Sequence, residues 1–152
     1  MKIRTGFVAN SSSSSFLVSF PPSVEVEPTA IIAYLFGEQA KLDHYVSDPD
    51  NLAGLNFGDL AAYLLEQMNG SYESAALSQA GILEDILWEG VERARPERLA
   101  EAQAEATRLL AGTARVYHFY FPSDEGSQEG SLLRFGFKKM LVTGINYYQV
   151  GE

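Results

Sequence analysis

Residues 114–122 read ARVYHFYFP. Tyr117, Phe119 and Phe121 alternate with Val116, His118 and Tyr120, and a period of two is the signature of a β-strand with two unlike faces. Pro122 ends the run, because proline cannot continue a hydrogen-bonded ladder. Immediately upstream, PERLAEAQAEATRLLAG (residues 96–112) has the 3.6-residue period of a helix. Its apolar stripe is Leu99, Ala102, Ala106, Leu109 and Leu110, with Pro96 at a permitted first position and Gly112 as the stop. The change of period between these stretches marks the passage from helices to strands.

Downstream, the polar, glycine-punctuated SDEGSQEGS precedes SLLRFGFKKM (residues 131–140). There Leu133, Phe135 and Phe137 stand opposite Leu132, Arg134, Gly136 and Lys138, which predicts the second strand of an antiparallel hairpin. INYYQV (145–150) predicts one more extended piece. Toward the N-terminus, FLVSF (16–20) reads as a strand stopped by Pro21-Pro22. Between them lie helical patterns. One opens at Pro28-Thr29 and closes at Gly37; one follows Asn56 and Asp59, which resemble a capping box. A third, capped by Ser71 or Ser74, carries Leu77, Ala80, Leu83, Leu87 and Val91 with Ile82 and Ile86 beside them. The expected architecture is α+β: a small antiparallel sheet, made of the N-terminal strand and the C-terminal hairpin, covered on one face by three or four helices. The N-terminal strand needs partners, so both chain ends should be neighbours. The 152 residues are expected to form a single domain.

Hydrophobic residues make up 46% of the chain, enough to build a core and too many for a wholly disordered protein. Cysteine is absent, which removes disulfides, thiolate nucleophiles and cysteine-based metal sites together. The basic start MKIR is followed by an apolar stretch far shorter than the roughly 7–15 residues of a signal peptide, and no run approaches the roughly 18 of a membrane span. A soluble, cytoplasmic protein without a membrane partner is expected. The formal net charge of −9 is concentrated between Ser23 and Glu92, where 13 acids face a single base, Lys41. Such a segment disfavours direct nucleic-acid binding and favours either plain solubility, the commoner role of such charge, or a partner protein with a basic surface.

Candidate chemistry is sparse. The two histidines, His44 and His118, lie far apart in sequence. Strand 16–20 beside strand 114–122 would bring serines near His118, but no G-x-S-x-G nucleophile elbow is present, and a strand histidine that packs or hydrogen-bonds is the expected reading. Asp43, His44, Asp48 and Asp50 offer oxygen ligands and an imidazole without EF-hand or H-E-x-x-H spacing, so neither a metal nor a cofactor is expected. RFGFK (134–138) is only faintly like the aromatic strand of RNA-recognition domains. If the phenylalanines face the helices, His118, Tyr120, Arg134 and Lys138 share the other face of the sheet, which is more often simply its wet side and otherwise a place for an anion or acidic partner. Asn10, Ser11, Ser12, Ser13, Ser14 and Ser15 have four readings: a linker, a phosphorylation tract, an ordered crossing satisfied by its own hydroxyls, or a nest of backbone N–H groups for an anion.

The opening MKIRTGFVANSSSSSFLVSF resembles the N-terminal signature FVSNSSSSSF of a scattered set of uncharacterised bacterial and phage proteins. Ala9 replaces the more usual serine, while Asn10, Ser11 to Ser15 and Phe16 match. The resemblance covers the first twenty residues, implies a positioned module and a phage or mobile-element origin, and transfers no catalytic residue. Taken together, the expected function is non-enzymatic: an accessory protein that binds a basic partner, such as host machinery, through Glu84, Asp85, Glu89 and Glu92. The alternatives are a small anion-binding protein or enzyme that uses Ser11 to Ser15, and a virion structural component.

Overall fold

Strand β1 spans Ser14–Phe20 in the computed structural model, which describes residues 14–37, 57–68, 76–88, 90–121 and 128–150. The remaining elements follow in chain order as α1 (Pro28–Phe36), α2 (Phe57–Gln67), α3 (Gln79–Ile86), α4 (Pro96–Leu110), β2 (Arg115–Phe121), α5 (Gln128–Met140) and β3 (Tyr147–Gln149). The sheet is antiparallel with the order β2-β1-β3, so the N-terminal strand is its centre and the C-terminal strands flank it. This is the expected α+β class, with the two ends of the described chain side by side.

Each element has a local cause. Proline at the start of α1 needs no hydrogen-bond partner, and the Glu27 carboxylate accepts from Thr29 N at 2.9 Å and Ala30 N at 3.2 Å. Gly37 ends α1 at φ 75°, donating its N–H to Ala33 O, a conformation that only glycine adopts without strain. Ser78 caps α3 by accepting from Gly81 N at 3.1 Å; Ser71 and Ser74 lie outside the described residues, as does Asn56. Gly112, at φ 69°, turns the chain from α4 into β2.

Two features differ from expectation. First, residues 131–140 belong to helix α5, not to a strand. Leu133, Phe137 and Met140 are buried in one core, and their spacing of four and three is that of a helix face. Leu133 and Phe137 fit both periods, so alternation alone could not separate them; Lys138 and Lys139 in the last turn suit the negative end of the helix dipole. Second, the sheet is covered on both faces. Phe16, Val18 and Phe20 with Tyr117, Phe119 and Phe121 pack against α1, α2 and α5. Leu17, Val116 and Val150 pack against Ile82 and Ile86 of α3 and Ala102, Ala106 and Leu109 of α4. The sequence signal is β1 itself, buried at every position from Ser15 to Phe20, because a near-continuous apolar strand requires cover on both sides.

No described helix is long and apolar enough to cross a membrane. In the larger core the Phe119 ring is fully buried and lies 5.7 Å from Phe137 and 6.2 Å from Phe20. Phe119→Ala would leave a cavity between the sheet and α5, and is expected to cost about 3–5 kcal/mol in chemical denaturation. A loss below about 1 kcal/mol would show that α5 does not pack on this ring.

Candidate functional site

The polar side chains on the second sheet face carry the chemistry. Residues 15, 17 and 19 of β1 point to one side, and the register sets Ser15 against Tyr120 and Leu17 against His118. Ser15 and His118 are therefore diagonal neighbours on one face. The Ser15 hydroxyl and His118 Nε2 are in hydrogen-bond contact. On the other side of the ring, His118 Nδ1 lies 3.1 Å from Asp85 Oδ2 of α3.

Helix α3 reaches this position because its start is tied to the sheet. Leu77 N donates to Val116 O at 2.8 Å, which docks the segment before α3 on the outer edge of β2. Ile82, Asp85 and Ile86 then make the buried face of the helix, at the i, i+3, i+4 spacing that puts side chains on one side. Asp85 thus enters the interface between two isoleucines, directly over His118. Its side chain is 5% exposed and that of His118 14%, while Ser15 is buried at 1%.

An ionised carboxylate only accepts hydrogen bonds, so Asp85 holds the proton of His118 on Nδ1 and leaves the Nε2 lone pair facing Ser15. The hydroxyl donates to Nε2. Transfer of the Ser15 proton to Nε2 would place the resulting imidazolium directly against the Asp85 carboxylate. Half-buried Tyr120 and Tyr148 pack against the apolar cluster on the same face, Tyr148 standing opposite Leu17.

The expected sites are redistributed. Ser14 and Ser15 lie in β1, while Asn10, Ser11, Ser12 and Ser13 lie outside the described residues. Ser14 projects to the opposite face, where its hydroxyl donates to Arg134 O at 2.8 Å. Arg134 and Lys138 sit one turn apart on α5, so the wet face expected to unite them with His118 and Tyr120 does not form. Of the acidic set, Glu84 and Glu92 are exposed, Glu89 lies outside the described residues, and Asp85 is buried against His118 instead of facing a partner. Asp43, His44, Asp48 and Asp50 also lie outside them, and among the described residues no three His, Asp or Glu side chains cluster as metal ligands do. Sequence reasoning had each of Ser15, His118 and Asp85 as a candidate, in three different groups. The signal that joins Asp85 to the core is its place between Ile82 and Ile86.

Ser15 and Asp85 touch opposite nitrogens of one ring, which makes their energetic coupling a direct measure of the chain of contacts. Asp85→Ala leaves a buried ring N–H without its carboxylate and is expected to cost about 1–3 kcal/mol, Ser15→Ala about 0.5–1.5 kcal/mol. The double variant should deviate from additivity by at least about 0.5 kcal/mol in denaturation experiments; strict additivity would show that His118 does not link them.

No family model, curated protein or solved structure matches this chain, so the chemistry of the site is read from its own atoms.

Proposed function

We propose that the protein is an acyl-transfer enzyme of the serine-nucleophile class, with Ser15 as nucleophile, His118 as general base and Asp85 as the group that orients the ring. The observation that carries this reading is the ordered contact series Ser15 Oγ, His118 Nε2, His118 Nδ1, Asp85 Oδ2, assembled from β1, β2 and α3. A base placed on the hydroxyl and held in one tautomer is what activates a serine, a group otherwise weakly nucleophilic. Its substrate class is an ester, thioester or amide carbonyl. Beside the buried hydroxyl, the His118 ring and the neighbouring Tyr120 keep partial exposure.

The test is a fluorophosphonate probe, which reacts covalently with activated serines. Labelling is expected on the peptide that contains Ser15, located by mass spectrometry. Ser15→Ala and His118→Ala should abolish it, and Asp85→Asn should slow it at least about tenfold by releasing the tautomer. Ser14→Ala should label normally, because that hydroxyl lies on the other face and donates to Arg134 O. Labelling that survives Ser15→Ala would sink the reading.

A second reading, protein binding through the acidic segment, is favoured by a separate observation. Trp88 and Val91 are 41% and 40% exposed, between the exposed Glu84 and Glu92. An exposed tryptophan flanked in the chain by exposed carboxylates suits a partner with an apolar pocket and basic surroundings. Trp88→Ala and the pair Glu84→Lys and Glu92→Lys should each release whatever basic protein co-purifies with the chain, in a salt-sensitive manner. Retention by both variants would count against it.

A further inference from the structure

We infer that Ser15 cleaves its own chain at the Ser14–Ser15 peptide bond, an activity that rests on Ser15 being the activated nucleophile proposed above. The starting point is a conflict. Ser15 has the partners of a nucleophile, yet at 1% exposure a second molecule has little room to reach its oxygen in the intact chain. One carbonyl needs no access route. The carbonyl carbon of Ser14 is four bonds from Ser15 Oγ, so attack closes a five-membered ring, and a reaction within one residue replaces a bimolecular encounter with a large effective molarity.

The surroundings hold that peptide unit in place. Ser14 is paired with Phe121 and its hydroxyl donates to Arg134 O at 2.8 Å, while Ser15 O accepts from Val150 N at 2.9 Å. Both sides of the bond are therefore anchored, on α5, β2 and the residue that follows β3. His118 sits on the attacking oxygen.

The step balances with one water. Ser15 Oγ gives its proton to His118 Nε2 and bonds to the Ser14 carbonyl carbon. The C–N bond breaks, its electrons remain on Ser15 N, and that nitrogen takes the proton from His118, leaving an ester between the Ser14 acyl group and Ser15 Oγ. Water then attacks the ester carbon, with His118 as base; the C–O bond breaks and Oγ recovers a proton. The products are a chain that ends in the Ser14 carboxylate and one that begins with the α-amine of Ser15. Departure of the Ser14 acyl group vacates the space beside Oγ, so the second product presents to other carbonyl substrates a hydroxyl with His118 and an α-amine as neighbouring bases.

The experiment is intact-mass spectrometry of the purified full chain over time, with and without hydroxylamine, which traps esters. Fragments 1–14 and 15–152 are expected, and hydroxylamine should accelerate their appearance and convert Ser14 to a hydroxamate. His118→Ala should slow cleavage at least about 100-fold. Ser15→Ala, checked for folding by circular dichroism, should stay intact, and Ser15→Cys should cleave through a thioester. A wild-type chain that stays whole in hydroxylamine, or a Ser15→Ala chain that is still cut, overturns the inference. The two proposals separate cleanly: an uncut chain labelled at Ser15 by the fluorophosphonate refutes self-cleavage and keeps acyl transfer, whereas a cut chain that never labels refutes action on other molecules and keeps self-cleavage.

Discussion

The burial of β1 on both faces is the constraint from which the rest of this structure follows. A strand at the centre of the sheet, covered above and below, cannot leave a hydroxyl without a partner, because an unpaired buried polar group costs about 1–3 kcal/mol. Three serines of β1 meet that demand in three directions. Ser14 donates to Arg134 O of α5, Ser15 contacts His118 of β2, and Ser19 donates to Leu109 O of α4 at 2.5 Å. Each bond joins the central strand to a different element, so the polar residues of β1 help set how the helices sit as well as satisfying themselves.

The short strand β3 is held by side chains as much as by its ladder. Arg108, at the end of α4, donates to Asn146 Oδ1 and to Tyr147 O, and Asn146 Nδ2 returns a bond to Arg108 O at 2.9 Å. Glu105 accepts from the same guanidinium at 2.8 Å and keeps it extended toward the strand. With the end of α4 and the start of β3 clamped in this way, Tyr148 and Val150 fall beside Leu17 and Ser15. The clamp thus closes the apolar surroundings in which His118 and Asp85 meet.

Much of this was legible one element at a time. Pro28 with Gly37, Pro96 with Gly112, and the alternation from Val116 to Phe121 each carry a local cause strong enough to act without tertiary help, and each element appears where it was expected. The stretch around Leu133 and Phe137 failed because those residues satisfy two periods at once, and a large phenylalanine-lined core decided in favour of the helix. Asp85 was misjudged for a related reason. Read by charge, it belongs with Glu84, Glu89 and Glu92; read by position, it belongs with Ile82 and Ile86, and burial follows position.

By itself, then, the amino-acid order determined the class of fold, the pairing of an apolar N-terminal strand with the C-terminal part of the chain, and the alternation that puts His118 on one face of its strand with Val116 and Tyr120. Local sterics and the two periodicities are properties of neighbouring residues, and they survive in any context. Only the tertiary structure decided that Ser15, His118 and Asp85 meet, since 103 positions separate the first pair and 33 the second. Contacts of that range depend on strand register and on where Leu77 docks α3 against β2, and both are set when two apolar surfaces are matched to each other, a choice that no single segment contains.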